Sequence, residues 1–238
     1  MPEVKALLFD VFGTVVDWRA GVARGLAPFL ARHAVAADAH ALADAWRRRY
    51  QPAMEEVRSG RRPFVKLDTL HRENLQEVLR EIGLEPSAVP PDEIDDLVLS
   101  WHRLDPWPDA VEGLRRLKTR HIVAPLSNGN VSLMVDLARW GGLPWDVILG
   151  AEIAGAYKPS PEAYLRSVAL LDLAPHEACL VAAHNGDLAA ARACGLRTAF
   201  VPRPGEHGPG QTEDLHPEAD WDIVAQDFGA LADRLGAP

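Results

Sequence analysis

The chain reads as an α/β protein, a doubly wound parallel sheet with an all-helical cap inserted after the first strand. Three observations predict this architecture. Short apolar runs alternate with helical patterns from Pro106 onward, which is the signature of a parallel sheet covered on both faces. The first such run, beginning at Val4, ends in Asp10 and a Gly13-Thr14 turn. After Thr14 the pattern is helical up to about Arg103, and nothing there reads as a strand.

Each element follows from its spacing. Val22, Leu26 and Leu30 recur at helical intervals, as do Leu42, Trp46 and Tyr50. Leu67, Leu70, Val78, Leu79 and Ile82 form another apolar stripe, and Ile94, Leu97, Val98 and Trp101 a last one. That last helix is entered through Pro90-Pro91-Asp92, a combination suited to a first turn. Beyond the cap, helices are expected over 109–118, 131–140, 161–170, 187–194 and 229–235. Strands are expected over 121–126, 147–149, 178–183, 197–201 and 222–224. The expected division is a Rossmann-like core of residues 1–16 and 104–238, with a cap of residues 17–103. The Pro- and Gly-rich loop 202–217 is long enough to be functional or mobile, and is read as a surface loop.

Composition narrows the function. Hydrophobic content of 47% and charged content of 25% suit a soluble globular protein. A formal net charge of -9 argues against a nucleic-acid partner, because no basic excess exists to displace counterions. There is no secretory leader pattern and no run of about 18 apolar residues, so a cytoplasmic location without a membrane partner is expected. Cys179 and Cys194 are too few for a disulfide framework and read as small buried hydrophobes.

In a doubly wound sheet, the reactive groups lie just past the carboxyl ends of the strands. Those ends carry Asp10, then Ser127-Asn128-Gly129, then the segment around Lys158, then His184-Asn185-Gly186-Asp187. A carboxylate there is a nucleophile, a metal ligand or both. The residue two places after it, Phe12, can neither ligate a metal nor move a proton, which favours covalent attack. Lys158 would hold Asp10 ionised. Ser127, Asn128 and Thr14 are candidate donors to Asp10 or to a substrate carboxylate. Asp187 would steady Lys158 or orient a water, unless it only satisfies a helix amino terminus.

Together, Asp10-Val11-Phe12-Gly13-Thr14, Leu126-Ser127-Asn128-Gly129, Lys158-Pro159 and Asp187 resemble the signature positions of the haloacid dehalogenase superfamily, in order and over nearly the whole chain. Phosphatases of that superfamily carry a second aspartate where Phe12 stands and a Gly-Asp pair where Ala182-Ala183 stand. The remaining pattern resembles the L-2-haloacid dehalogenases. That resemblance implies Asp10 as nucleophile, an aspartyl-ester intermediate, Lys158 as its positioning cation, and no cofactor or metal. It also implies a small 2-haloacid as substrate, halide and a 2-hydroxyacid as products, and a homodimer. Thr14, Ser127, Asn128 and Tyr164 match positions that orient Asp10 or meet the substrate. Trp46-Arg47 resembles the cap motif whose arginine reaches the halide, though Arg47 beside Arg48 and Arg49 also reads as a solvated face.

One segment departs from that pattern. Ala183-His184-Asn185-Gly186-Asp187 replaces a Ser-Asn pair and a tryptophan before the aspartate. His184, with a reference pKa near 6.5, suits base work on the water that cleaves the ester; a histidine bonded to backbone is the plainer alternative. Asn185 is a candidate substrate contact. A phosphatase acting on a small phosphate ester, and a binding module that kept the fold, are the competing functional classes.

Overall fold

The computed structural model describes residues 4–238; the first three residues of the expected core segment lie outside these. Strand β1 (Ala6–Phe9) is buried throughout, and it sits at the centre of the sheet. It pairs in parallel with β2 (Ile122–Ser127) on one side and β4 (Ala178–Ala182) on the other. β3 (Leu149–Gly150), β5 (Arg197–Phe200) and β6 (Ile223–Val224) complete a six-stranded sheet in the order β3-β2-β1-β4-β5-β6. The order reverses beside β1, so the ends of β1, β2 and β4 form the crevice where such sheets bind ligands.

Helices cover both faces of this sheet. Those between its strands are α6 (Ala110–Lys118), α7 (Val131–Gly141), α8 (Ala151–Ala154), α9 (Pro161–Ala169) and α10 (Asn185–Ala193), with α11 (Phe228–Arg234) at the end. Alternate residues of β1 face opposite layers: Leu7 and Phe9 join one apolar cluster, while Ala6 and Leu8 join the other. The α/β fold with an inserted helical segment thus matches the sequence reading. Small shifts occur at element ends. β3 begins two residues later than its apolar run suggested, pairing Leu149 with Leu126 and Gly150 with Ser127.

The segment after β1 holds α1 (Trp18–Arg32), α2 (Ala39–Arg48), α3 (Tyr50–Arg58), α4 (Leu67–Glu81) and α5 (Pro91–Val98). The stripe of Leu42, Trp46 and Tyr50 spans two helices rather than one. Pro52 has no N–H to give the carbonyl of Arg48, and its ring would clash with it, so the chain turns at Arg49. A single 3-10 turn, Leu99–His102, returns the chain towards the sheet.

This helical segment is fastened to the core by rings and by polar contacts, among them one centred on His102. Phe12, in the turn after β1, meets the Trp101 ring edge-on at 5.7 Å, and Trp18 stacks on the other side of Trp101 at 6.1 Å. His102 is bonded by Asp68 of α4 at 3.1 Å and by Asp136 of α7 at 2.8 Å. Burial would lower the proton affinity of His102, but these two carboxylates outweigh it and raise its pKa.

Leu8 is fully buried between the sheet and its covering helices. Leu8→Ala is expected to cost about 3 kcal/mol through lost transfer energy and a residual cavity. Urea denaturation would register this as a lower midpoint with an unchanged slope.

Candidate active site

Asp10 follows β1 directly, and its backbone N–H bonds the carbonyl of Val181 in β4. The residue is only 8% exposed. A carboxylate this buried needs compensation, and every neighbour is arranged to supply it. Lys158 donates from Nζ to Asp10 Oδ1 at 2.9 Å. Thr14 donates to Oδ2 at 2.8 Å, and His184 Nδ1 lies 2.9 Å from the same oxygen. Burial alone would raise the Asp10 pKa, but the charges and hydrogen bonds of Lys158 and His184 hold it well below the usual carboxylate range.

Lys158 is buried as well, and its ammonium bridges Asp10 and Asp187. Burial disfavours that charge, yet the two carboxylates overcome the penalty and push its pKa above the ordinary lysine value. Asp187, in the first turn of α10, also accepts a hydrogen bond from the Tyr164 hydroxyl of α9. Asn128 accepts from the backbone N–H of Lys158 at 2.8 Å, so the β2 end positions the lysine segment.

These groups open into a cavity of about 810 Å³ between sheet and cap, lined by Asp10, Arg47, Asn128, Lys158, Tyr164, His184 and Asp187 among others. Arg47 is not on a solvated face. Its guanidinium lies 4.1 Å from the Tyr50 ring centroid and 5.2 Å from that of Trp18, and its Nη1 is buried with no protein partner. Phe12 contributes a further ring at 5.9 Å.

Three of the expected substrate contacts do not reach the cavity. Thr14 is fully buried, with its hydroxyl donating to Asp10 and accepting from the N–H of Ala183, so it orients the carboxylate instead. Ser127 is fully buried and its oxygen accepts from the N–H of Gly129, which shapes the turn after β2. Asn185 points the other way. Its amide binds Asp214, the carbonyl of His216, the N–H of Glu218 and the indole of Trp221. Those bonds tie α10 to the segment after β5.

That segment is an active-site element, contrary to its reading as a surface loop. Arg203 is buried, donating to the carbonyl of Thr14 and pairing through both terminal nitrogens with Asp109. Glu206 is 1% exposed and accepts hydrogen bonds from the Trp18 indole and from His184 Nε2, each at 2.9 Å. Gly13, at φ +88°, makes room for it, since a Cβ there would overlap the Glu206 carboxylate. No motif marked Glu206; only the unusual loop length hinted that the segment had a task.

His184 is therefore held between two carboxylates, Asp10 on Nδ1 and Glu206 on Nε2. Burial would strip its proton, but Glu206 and Asp10 together hold its pKa well above the imidazole reference. A carboxylate facing each ring nitrogen favours the protonated ring over the neutral base that the reference pKa suggested.

A buried, ionised carboxylate at a switch point, bridged by a lysine to a second carboxylate under a helical cap, defines a hydrolase site of one class. A model of the haloacid dehalogenase-like hydrolases matches residues 4–195, and the chain belongs to that family. It is 31% identical over 206 residues to (S)-2-haloacid dehalogenase 4A of Burkholderia cepacia, covering 85% of each chain. Among solved structures it resembles the defluorinating L-2-haloacid dehalogenase Rha0230, with a TM-score of 0.97 and 56% identity over 98% of this chain and 96% of that one. The L-2-haloacid dehalogenase PA0810 superposes with a TM-score of 0.93 at 47% identity, covering 99% and 100%.

Removing the ammonium should raise the Asp10 pKa. In Lys158→Gln, burial acts against His184 and Thr14 alone, so the carboxyl should titrate at higher pH than in the parent. Carboxyl-carbon NMR of Asp10 against pH would test this.

Proposed function

We propose that the chain hydrolyses short-chain 2-haloalkanoic acids to 2-hydroxyalkanoic acids through a covalent ester on Asp10, without a metal. The observation that carries this reading is the Lys158 ammonium bonded to both Asp10 and Asp187, which offsets their negative charge from within the chain. An anionic substrate can then approach Asp10 without meeting uncompensated negative charge. Phe12 and Ala183 near the strand ends are buried and apolar, so they add no side-chain carboxylate of the kind that holds a hard cation.

Asp10 Oδ2 holds two donors, Thr14 and His184, while Oδ1 holds only Lys158. Oδ1 therefore keeps the freer lone pair and attacks the carbon bearing the halogen. The C–halogen pair of electrons leaves with the halide. Arg47 supports that departure, because a buried guanidinium nitrogen without a protein partner is a ready anion donor. Asn128 and Tyr164 line the same cavity and are assigned to substrate contacts. Water then adds to the ester carbonyl carbon, its oxygen stays in Asp10, and the former Oδ1 departs as the product hydroxyl. The names of the similar proteins support the substrate class. A homodimer is proposed with it, as the family resemblance implies.

Single-turnover hydrolysis of 2-chloropropionate in oxygen-18 water, with enzyme in excess, should place the label in Asp10. Label found only in the product hydroxyl would refute the ester. Halide release should continue in EDTA, and Asp10→Asn should abolish it; mass spectrometry of the Asp10 peptide and a halide assay read both.

A further inference from the structure

Ester hydrolysis builds negative charge on the carbonyl oxygen of the ester, and preorganised donors at that oxygen lower the barrier. If Oδ1 makes the ester, Oδ2 becomes that carbonyl oxygen. Two donors already converge on it: the Thr14 hydroxyl at 2.8 Å and His184 Nδ1 at 2.9 Å. We infer that Thr14 and His184 form the oxyanion site for the second half-reaction, and that Glu206 is the positioning residue that keeps His184 protonated while Asp10 is esterified.

The need for Glu206 follows from the change in charge at Asp10. In the resting site two carboxylates face His184, from the turn after β1 and from the loop after β5. Esterification neutralises Asp10, and His184 loses one of those anions at the moment its second proton is needed. Glu206 alone then opposes the loss of that proton. It is suited to do so, since its own carboxyl is held ionised against burial by His184, with smaller help from His207 and Arg47. Trp18 donates to its Oε1, which fixes the carboxylate in place, and Gly13 leaves it space. The remaining charges near Asp10, Lys158 and Asp187, neutralise one another through their own ion pair.

The atoms balance without His184 changing its proton count. Water adds to the ester carbon, the carbonyl electron pair moves to Oδ2, and Thr14 and His184 hold the resulting oxyanion. Collapse restores the C=O bond and breaks the bond to Oδ1, which leaves on the product. One proton of the water ends on the product hydroxyl and the other passes to solvent.

This inference rests on the proposed ester, and the test separates the two. Rapid-quench mass spectrometry with 2-chloropropionate would follow the esterified Asp10 peptide beside halide release in the parent, Glu206→Gln and His184→Asn. Glu206→Gln retains an oxygen for Trp18 but loses the charge. It should release one equivalent of halide in a burst at the parent rate, then accumulate ester that decays at least about tenfold more slowly at about pH 8. Ester decay should fall with rising pH, and that alkaline limb should move to lower pH in Glu206→Gln. A structural role for Glu206 would not move the limb. His184→Asn should be slow in ester decay at every pH and show no such limb, which tests the donor role even if Glu206→Gln folds poorly. Ester decay in Glu206→Gln at the parent rate at all pH values would overturn the inference. So would parent ester decay that accelerates with pH through an ionisation absent from His184→Asn, the behaviour of a base. If the parent itself forms no ester, the covalent reading fails first, and the inference falls with it.

Discussion

Almost everything near the site follows from keeping one carboxylate charged where water scarcely reaches it. Asp10 sits at the end of a central strand whose residues are wholly buried, and an ion in such a place is destabilised by several kcal/mol unless its surroundings replace the lost hydration. The replacement comes from three directions. Lys158 approaches from the segment after β3, Thr14 from the turn of Asp10 itself, and His184 from the end of β4. Each compensating cation is in turn held by its own anion, Asp187 for Lys158 and Glu206 for His184. Removing one member of such a network leaves another buried charge unpaired, so the groups are mutually dependent.

Phe12 takes on meaning within this arrangement. As an apolar ring beside the nucleophile it brings no proton-transfer group, and in the fold it packs against Tyr50, Trp101 and the Arg47 guanidinium. One residue thus removes an acid from the site and supplies a wall that joins core to cap. Arg47 gains from the same rings. Aromatic faces stabilise its charge while leaving Nη1 without a protein acceptor.

The fold was legible because its signals are local and periodic. Apolar runs of strand length, helical spacing between them, and a long helical stretch after the first strand carry enough information to order the elements. The break between α2 and α3 was also written in the chain, at Pro52, but the stripe across it masked the signal. The shift of β3 was not readable, since a strand's bounds depend on its pairing with β2 in the assembled sheet.

Site residues divide along the same line. Asp10, Lys158 and Asp187 stand at strand ends, which marked them as candidates, while Arg47 was marked by its resemblance to a cap motif; the fold gathers all four around one cavity. What those side chains face is a different matter. Thr14, Ser127 and Asn185 carry the right chemistry at the right strand ends, yet their polar atoms are bonded to Asp10, Gly129 and the segment after β5. Glu206 lies far along the chain from His184's partner Asp10 and belongs to no periodic element, so nothing local announces it. By itself the sequence determined the order of elements and picked out the strand-end carboxylate Asp10 and Lys158 as candidates, because these rest on backbone periodicity and on residue types at strand ends. Tertiary structure alone decided the charge of His184, because an imidazole's proton depends on which anions lie within hydrogen-bonding reach, and here those come from opposite ends of the chain.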